Sequence, residues 1–303
     1  MQLDKFLKIL VQDLNQYVAI AEEFPNDAIA KIKSGGNLFE RKVTRVITPG
    51  TLIDENFMDP YANNYILAIH MADAATYNLD NMQSTPSNDN ITSTTTSVGV
   101  AWLDLSTGQF QTQSTTDSML SSVITRIGPR EIVLDNALSN VTRQHPIFIA
   151  LAEDQRLVTF VSRSSMTADS NGSTGTSNAL RELEHGEAAK IFSSEERAAG
   201  ARLLDYIDAR LLENNLELQS PVRYSPEENM IIDKNTMRAL ELKQTLRESG
   251  ATKGTLLHAI RRTITKSGAR LLEERLCKLC PPDCACVMLL TNTSRAIHAY
   301  RHN

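Results

Sequence analysis

Val98-Gly99-Val100-Ala101-Trp102-Leu103-Asp104-Leu105-Ser106-Thr107-Gly108-Gln109-Phe110-Gln111-Thr112-Gln113 decides the fold of this 303-residue chain. Val98–Leu105 is an apolar strand, Ser106-Thr107-Gly108 a tight turn, and Gln109–Gln113 the returning strand of a hairpin. Upstream, the apolar run Tyr65–Ile69 reads as another strand. Downstream, Met119, Leu120, Val123, Ile124 and Ile127 recur at helical spacing until Gly128-Pro129 stops them. Glu131–Leu134 and Ile147–Leu151 read as two further strands. A hairpin running into alternating helix and strand predicts a mixed sheet with helices against it.

The flanking regions have a different character. Leu3, Phe6, Leu7, Leu10, Val11 and Leu14 make one helix face, Tyr17–Ile20 a short strand, and Lys42–Ile47 an alternating strand stopped by Thr48-Pro49-Gly50-Thr51. One helix and two strands cannot close a core alone, so this segment is expected to be the remainder of a domain that starts upstream. After Asn178 the chain turns helical. Leu203, Leu204, Ile207 and Leu211 lie on one face of a long helix expected to begin near Ser194, with Glu195 and Glu196 in its first turn. Asp233 precedes a second helix carrying Met237, Leu240 and Leu246, and Leu256–Ile260 and Ala269–Leu276 supply two more. Residues 81–97 and 162–178 are almost entirely Ser, Thr, Asn, Asp and Gly, a composition that predicts disordered surface insertions.

No run of 18 apolar residues occurs. The opening Met1-Gln2-Leu3-Asp4-Lys5 has neither a signal-peptide core nor an Arg/Ser-rich transit segment. The net charge of −5 is unevenly spread: residues 234–276 hold ten Lys/Arg against four Glu, while the first 233 residues carry −13. Such a basic segment suits a phosphate backbone or an acidic partner, or is simply a solvated helical face. All four cysteines fall between 277 and 286, so the rest of the chain was built without disulfides, as in a reducing interior.

Cys277, Cys280, Cys284 and Cys286, with His298 and His302 beyond, have the residue types of a zinc site but not the spacings of a common finger. Asp104, Asp135 and Asp154 are the carboxylates a two-metal nuclease would have to bring together, yet the first strand offers only His70 and Asp73. Asp104 reads better as a hairpin-turn residue accepting backbone N–H groups. His258 beside Arg261 and Arg262 is a helix residue within reach of a phosphate, and Trp102, mid-strand, belongs to the core.

Several strings, in order, resemble the MutS family of DNA mismatch-repair proteins. Val18-Ala19-Ile20-Ala21-Glu22-Glu23 is similar to the V-A-I-C-E-Q string that ends the family's mismatch-binding domain. Arg41-Lys42-Val43-Thr44-Arg45-Val46-Ile47-Thr48-Pro49-Gly50-Thr51 looks like its R-x-V-x-R-[VI]-[VI]-T-P-G-T linker. Asn64–Ile69 with Val98–Phe110 resembles the opening strands of its connector domain, and Pro129-Arg130-Glu131-Ile132-Val133-Leu134 the connector's P-x-E-[IL]-[IL] element. Met230-Ile231-Ile232-Asp233 through Leu242, and Gly268-Ala269-Arg270-Leu271-Leu272 through Leu276, are similar to the start of its core lever domain. Phe57-Met58-Asp59-Pro60-Tyr61 looks most like the fungal mitochondrial branch.

The resemblance implies an α/β chain followed by an all-α part. Residues 1–52 would be the C-terminal remnant of the mismatch-binding domain plus linker, and 53–180 an RNase H-like connector. Residues 181–279 would be the start of the helical lever domain, and 280–303 a tail foreign to the family, as an intron read-through or frameshift would produce. It also implies a parent protein that binds mismatched double-stranded DNA as a homodimer, uses ATP and Mg, and works in the mitochondrion, or otherwise in the nucleus or cytoplasm. This chain is expected to contribute no catalytic, cofactor-binding or metal residue: it contains no G-x-x-x-x-G-K-[ST] phosphate loop and no Phe-x-Glu mismatch wedge. Thr48, Pro49, Gly50 and Thr51 are then its interdomain linker, and Arg261, Arg262 and Lys266 its candidate DNA-backbone contacts. The competing readings are a free-standing module that docks a partner repair protein through the connector, and a zinc-dependent nucleic-acid binder.

Overall fold

The computed structural model describes residues 6–24, 40–51, 63–71, 96–140, 146–152, 157–162, 174–185, 188–211, 218–226, 232–246 and 253–277. They fall into two compact units: one of residues 1–58, 64–120 and 128–223, the other of 59–63, 121–127 and 224–303.

The first unit opens with a π-helical turn, Lys8–Asp13, followed by the antiparallel pair Val18–Phe24 (β1) and Glu40–Ile47 (β2). Leu7, Val11 and Ile47 close a small core against Val18 and Ile20. Phe6, Leu10 and Leu14 were expected on the same helix face but are exposed. The wider π turn carries them off the line that an α-helix would keep.

Tyr65–Met71 (β3), Ser97–Asp104 (β4), Gln109–Thr116 (β5), Glu131–Asp135 (β6), Leu157–Val161 (β7) and Val222–Arg223 (β8) form one sheet in the order β7-β6-β3-β4-β5-β8. β4 is antiparallel to both neighbours, β6 is parallel to β3, β7 to β6, and β8 to β5, so β4 alone runs against the rest. The central strands are apolar on both faces, as strands covered on both sides must be. Ile66, Ala68, Ala101, Leu103, Phe110 and Val133 make one inner row. Leu67, Ile69, Val100, Trp102, Ile132 and Leu134 on the alternate positions are buried too, which places Trp102 in the core as expected.

Four helices belong to the sheet's connections: Leu120–Ile127 (α1), Pro146–Ala152 (α2), Thr174–Glu184 (α3) and Ser194–Arg210 (α4). The expected strand at Ile147–Leu151 is therefore the helix α2. Its burial explains why: Ile147 and Leu151 are covered while Ile149 between them is 60% exposed, a four-residue repeat rather than alternation. Pro146 also suits the first position of a helix. The strand in this region, β7, comes later, at Leu157-Val158-Thr159-Phe160-Val161, whose β-branched and aromatic residues carry the strand signal.

The insertion expected at 162–178 ends too late. Thr174–Asn178 start α3, where Thr176 donates to the Asp208 carboxylate at 2.8 Å and Ala179 and Leu183 pack into the core. Ser97, counted in the other insertion, already belongs to β4. Residues 81–95 and 163–173 lie outside the described residues.

α4 carries most of the remaining core: Ala199, Leu203, Leu204, Tyr206 and Ile207 meet the inner row of the sheet and α3. Its cap is Ser193, one residue before the expected position. The Ser193 hydroxyl accepts from Glu196 N–H at 3.2 Å and the Glu196 carboxylate from Ser193 N–H at 2.7 Å, a complete capping box. Because α4 packs on the sheet and β8 extends it, the fold runs straight through the expected boundary at 180/181.

In the second unit, Lys234–Ala239 (α5), Leu256–Ile260 (α6) and Lys266–Cys277 (α7) are capped by Asp233, Thr255 and the turn at Thr265. α5 is shorter than the expected helix through Leu246. Glu241 takes a left-handed φ of 48°, which ends the helix, and its carboxylate accepts Leu246 N–H at 2.8 Å. Leu240 and Leu246 are left exposed, while Met237 is buried with Leu242, Ile232 and Cys277. The Lys243 ammonium joins this core's rim, 3.1 Å from Glu273, and donates to the carbonyl of Arg126 at 3.3 Å. Among the described residues no helix is long and apolar enough to cross a membrane.

Candidate functional site at the linker turn

Thr48-Pro49-Gly50-Thr51, expected as a linker, is a buried turn. Thr51 N–H donates to the Thr48 carbonyl at 3.1 Å, with Pro49 and Gly50 at the corners that turn chemistry favours. Thr48 N–H donates to the Thr51 hydroxyl at 2.8 Å and the two hydroxyls stand 2.9 Å apart. Asn64, just before β3, donates from Nδ2 to the Gly50 carbonyl at 3.1 Å. With its polar groups met in this way, the segment can leave water without orphaned donors.

The turn is buried against Glu131, the first residue of β6, whose side chain is fully covered. The Thr48 hydroxyl and Gly50 N–H donate to Oε2, at 2.5 and 3.2 Å. Thr159 of β7 and Tyr206 of α4 donate their hydroxyls to Oε1, at 2.7 and 2.5 Å. A buried carboxylate is tolerable only when its lone pairs are met, and here four donors from three parts of the chain meet them.

Gly50 is required by this approach rather than by its φ. A β-carbon on it would lie 2.6 Å from Ile66 Cγ1 and 2.9 Å from both Cβ and Oε2 of Glu131. Tyr17, immediately before β1, reaches the Thr159 hydroxyl at 2.6 Å. Thr159 spends its one proton on Glu131, so Tyr17 is the donor of that bond. Burial pushes the phenols of Tyr17 and Tyr206 above their ordinary value, and for Tyr206 the Glu131 charge adds to it, so both remain protonated donors. The Arg210 guanidinium lies 5.2 Å from the Tyr206 ring centroid and 5.8 Å from that of Tyr17, covering both.

Every acceptor position of Glu131 is taken. Among the described residues, Asp104 and Asp135 are not brought together. Asp104 pairs in register with Tyr65 at one end of the sheet, while Asp135 ends β6 beyond the Ala68–Val133 pair at the other. Some five strand residues, roughly 15 Å, separate them. Asp104 accepts from Ser106 N–H and hydroxyl at 2.9 and 2.7 Å, the turn role expected of it. Asp135 is ion-paired with the buried Arg202, which also donates to Ile69 O at 3.2 Å and faces His70 Nδ1 at 3.3 Å. A guanidinium thus stands beside His70 and Asp135. Among the described residues no group of three or more His, Cys, Asp or Glu is placed to hold a metal. Asp73 and Asp154 lie outside the described residues.

Cys277 faces the core of the second unit beside Met237 and Leu242, and burial pushes its thiol up, away from the thiolate a zinc ion needs. Cys280, Cys284, Cys286, His298 and His302 lie outside the described residues. Arg261 ends α6, Arg262 follows it and Lys266 opens α7; all three are exposed, as is His258.

The turn is marked in the sequence by Pro49-Gly50, but the residues that receive it, Glu131, Thr159, Tyr206 and Tyr17, are not. One signal was available. Glu131 stands before the apolar run Ile132–Leu134, and a carboxylate at the head of a buried strand needs donors from elsewhere.

Residues 64–219 match the family pattern described as MutS domain II, residues 235–278 that of MutS domain III, and residues 1–56 that of MutS domain I. The chain belongs to the MutS family. It is 30% identical over 273 residues to the DNA mismatch repair protein MutS of Rhizobium meliloti, covering 90% of this chain and 27% of that protein. Against the DNA mismatch repair protein MutS of Rhodopseudomonas palustris it is 32% identical over 277 residues, covering 90% of this chain and 27% of the relative. The protein of the same name from Nitrobacter hamburgensis is 30% identical over 264 residues, 86% of this chain and 26% of the relative. The chain spans about a quarter of the length of the curated relatives it matches.

Proposed function

We propose that this chain is the connecting portion of a DNA mismatch-repair protein, fixing the mismatch-side segment to the connector and leading from it into the lever helices. The observation that carries this reading is the burial of Thr48–Thr51 on Glu131, which makes the joint between the domain-I-like and domain-II-like parts a fixed one. The strand order, with only the second strand of the sheet reversed, supports an RNase H-like connector. In the whole protein, ATP and Mg are bound elsewhere and mismatched double-stranded DNA is the partner of a homodimer; this chain is no enzyme. Phe57–Tyr61 supports placement in the fungal mitochondrial branch, and with it a mitochondrial site of action. Arg261, Arg262 and Lys266, exposed in a basic segment, are the proposed contacts to the DNA backbone. Docking of a repair-protein partner is favoured by exposed Ile149 on α2, next to the Phe148–Phe160 ring pair.

Fluorescence anisotropy with duplexes that are fully paired or carry one mismatch tests the reading. The chain is expected to bind both equally, with affinity falling steeply as salt rises, and R261A/R262A/K266A to flatten that salt dependence. A clear preference for the mismatched duplex would sink the proposed division of labour.

A further inference from the structure

The two oxygens of Glu131 serve different parts of the chain. Oε2 takes the linker's donors, Thr48 and Gly50; Oε1 takes those of the body, Thr159 on β7 and Tyr206 on α4. The Glu131 backbone is pinned in the sheet, paired with Ile66 on one side and Leu157 on the other. Its remaining freedom is rotation of the side chain. A carboxylate is planar and rigid, so a displacement of the turn that draws Oε2 after it must swing Oε1 away from Thr159 and Tyr206. Tyr206 lies in the last full turn of α4, and Arg210, which ends that helix, covers the rings of both Tyr206 and Tyr17. Tyr17 in turn donates to Thr159, which closes the circuit back to the segment before β1.

We infer that Glu131 is a two-sided relay: the docked state of the turn at 48–51 and the packing of the C-terminal end of α4 are coupled through its two oxygens. This rests on reading the turn as a fixed joint, and adds that the joint is sensed at the C-terminal end of α4. Coupling through a shared group is reciprocal, so loosening either side must loosen the other.

Hydrogen–deuterium exchange on the full chain tests this with Tyr206→Phe and Thr48→Val, each of which removes one hydroxyl and keeps the side-chain shape. Tyr206→Phe is expected to speed exchange of the Gly50 and Thr51 amides about tenfold, and Thr48→Val to do the same at 206–211, with the hairpin at 97–116 unchanged. If each variant loosens only its own side, the relay is wrong although the joint stands. If both loosen the hairpin equally, the effect is general destabilisation and the relay is likewise overturned. Unprotected Gly50 and Thr51 amides in the unmodified chain would remove the joint itself.

Discussion

Gly99 of β4 lies so close to the start of α4 that a β-carbon on it would stand 2.1 Å from the carbonyl carbon of Glu195. The obstacle is backbone, in the first turn of a helix fixed by its capping box, and it cannot rotate away. At Gly50 the obstacles are side-chain atoms, Ile66 Cγ1 at 2.6 Å and Glu131 Cβ and Oε2 at 2.9 Å. Gly99→Ala is therefore expected to cost more stability than Gly50→Ala, with the latter near the ~1–3 kcal/mol usual for overpacking. Denaturant unfolding of the two variants measures the order; equal or reversed costs would mean that α4 does not sit on β4 as described.

The Glu131 network predicts a graded response to substitution. Glu131→Leu leaves the Thr48, Thr159 and Tyr206 hydroxyls and Gly50 N–H buried without an acceptor, each at a cost of roughly 1–3 kcal/mol. Glu131→Gln keeps one acceptor oxygen and the shape, and is expected to lose about half as much. Urea midpoints at constant slope compare them. A Leu variant as stable as the parent would show that the carboxylate is not held by these donors.

Tyr206 sets an alkaline limit. Its folded-state value is raised above the ordinary 10.0 by burial first and the Glu131 charge second. A raised value means that the unfolded chain releases the proton first as pH climbs. The stability from a protonated Tyr206 is thus fully present below about pH 10 and falls as pH rises beyond it. Unfolding midpoints from about pH 8 to 11 should fall more steeply for the parent than for Tyr206→Phe. Parallel curves would mean that Tyr206 ionises as freely folded as unfolded.

The sheet was legible because its strands are apolar on both faces and bounded by turn residues: Tyr65–Ile69, Val98–Leu105 and Glu131–Leu134 all appear as strands within two residues of their expected ends. Ile147–Leu151 failed because a five-residue apolar run fits either period, and only the burial of residues 147 and 151 without 149 decides between them. α5 was overextended because no sequence signal marks a left-handed glutamate at 241. For the site, Thr48-Pro49-Gly50-Thr51 announced a turn, but a Pro-Gly turn reads as solvent-facing. Its receptor is assembled from residues up to 158 positions away, between Thr48 and Tyr206, and no local pattern encodes such a meeting.

The linker turn is docked in the native chain. Gly50 N–H is bonded to Glu131 Oε2 and Thr51 N–H to the Thr48 carbonyl, both in a buried turn. Native-state hydrogen exchange of these two amides, read against those of β3 and β6, is the most direct measurement. The structure predicts protection comparable to the sheet's own amides. Exchange at the rate of an open, solvated loop would contradict it.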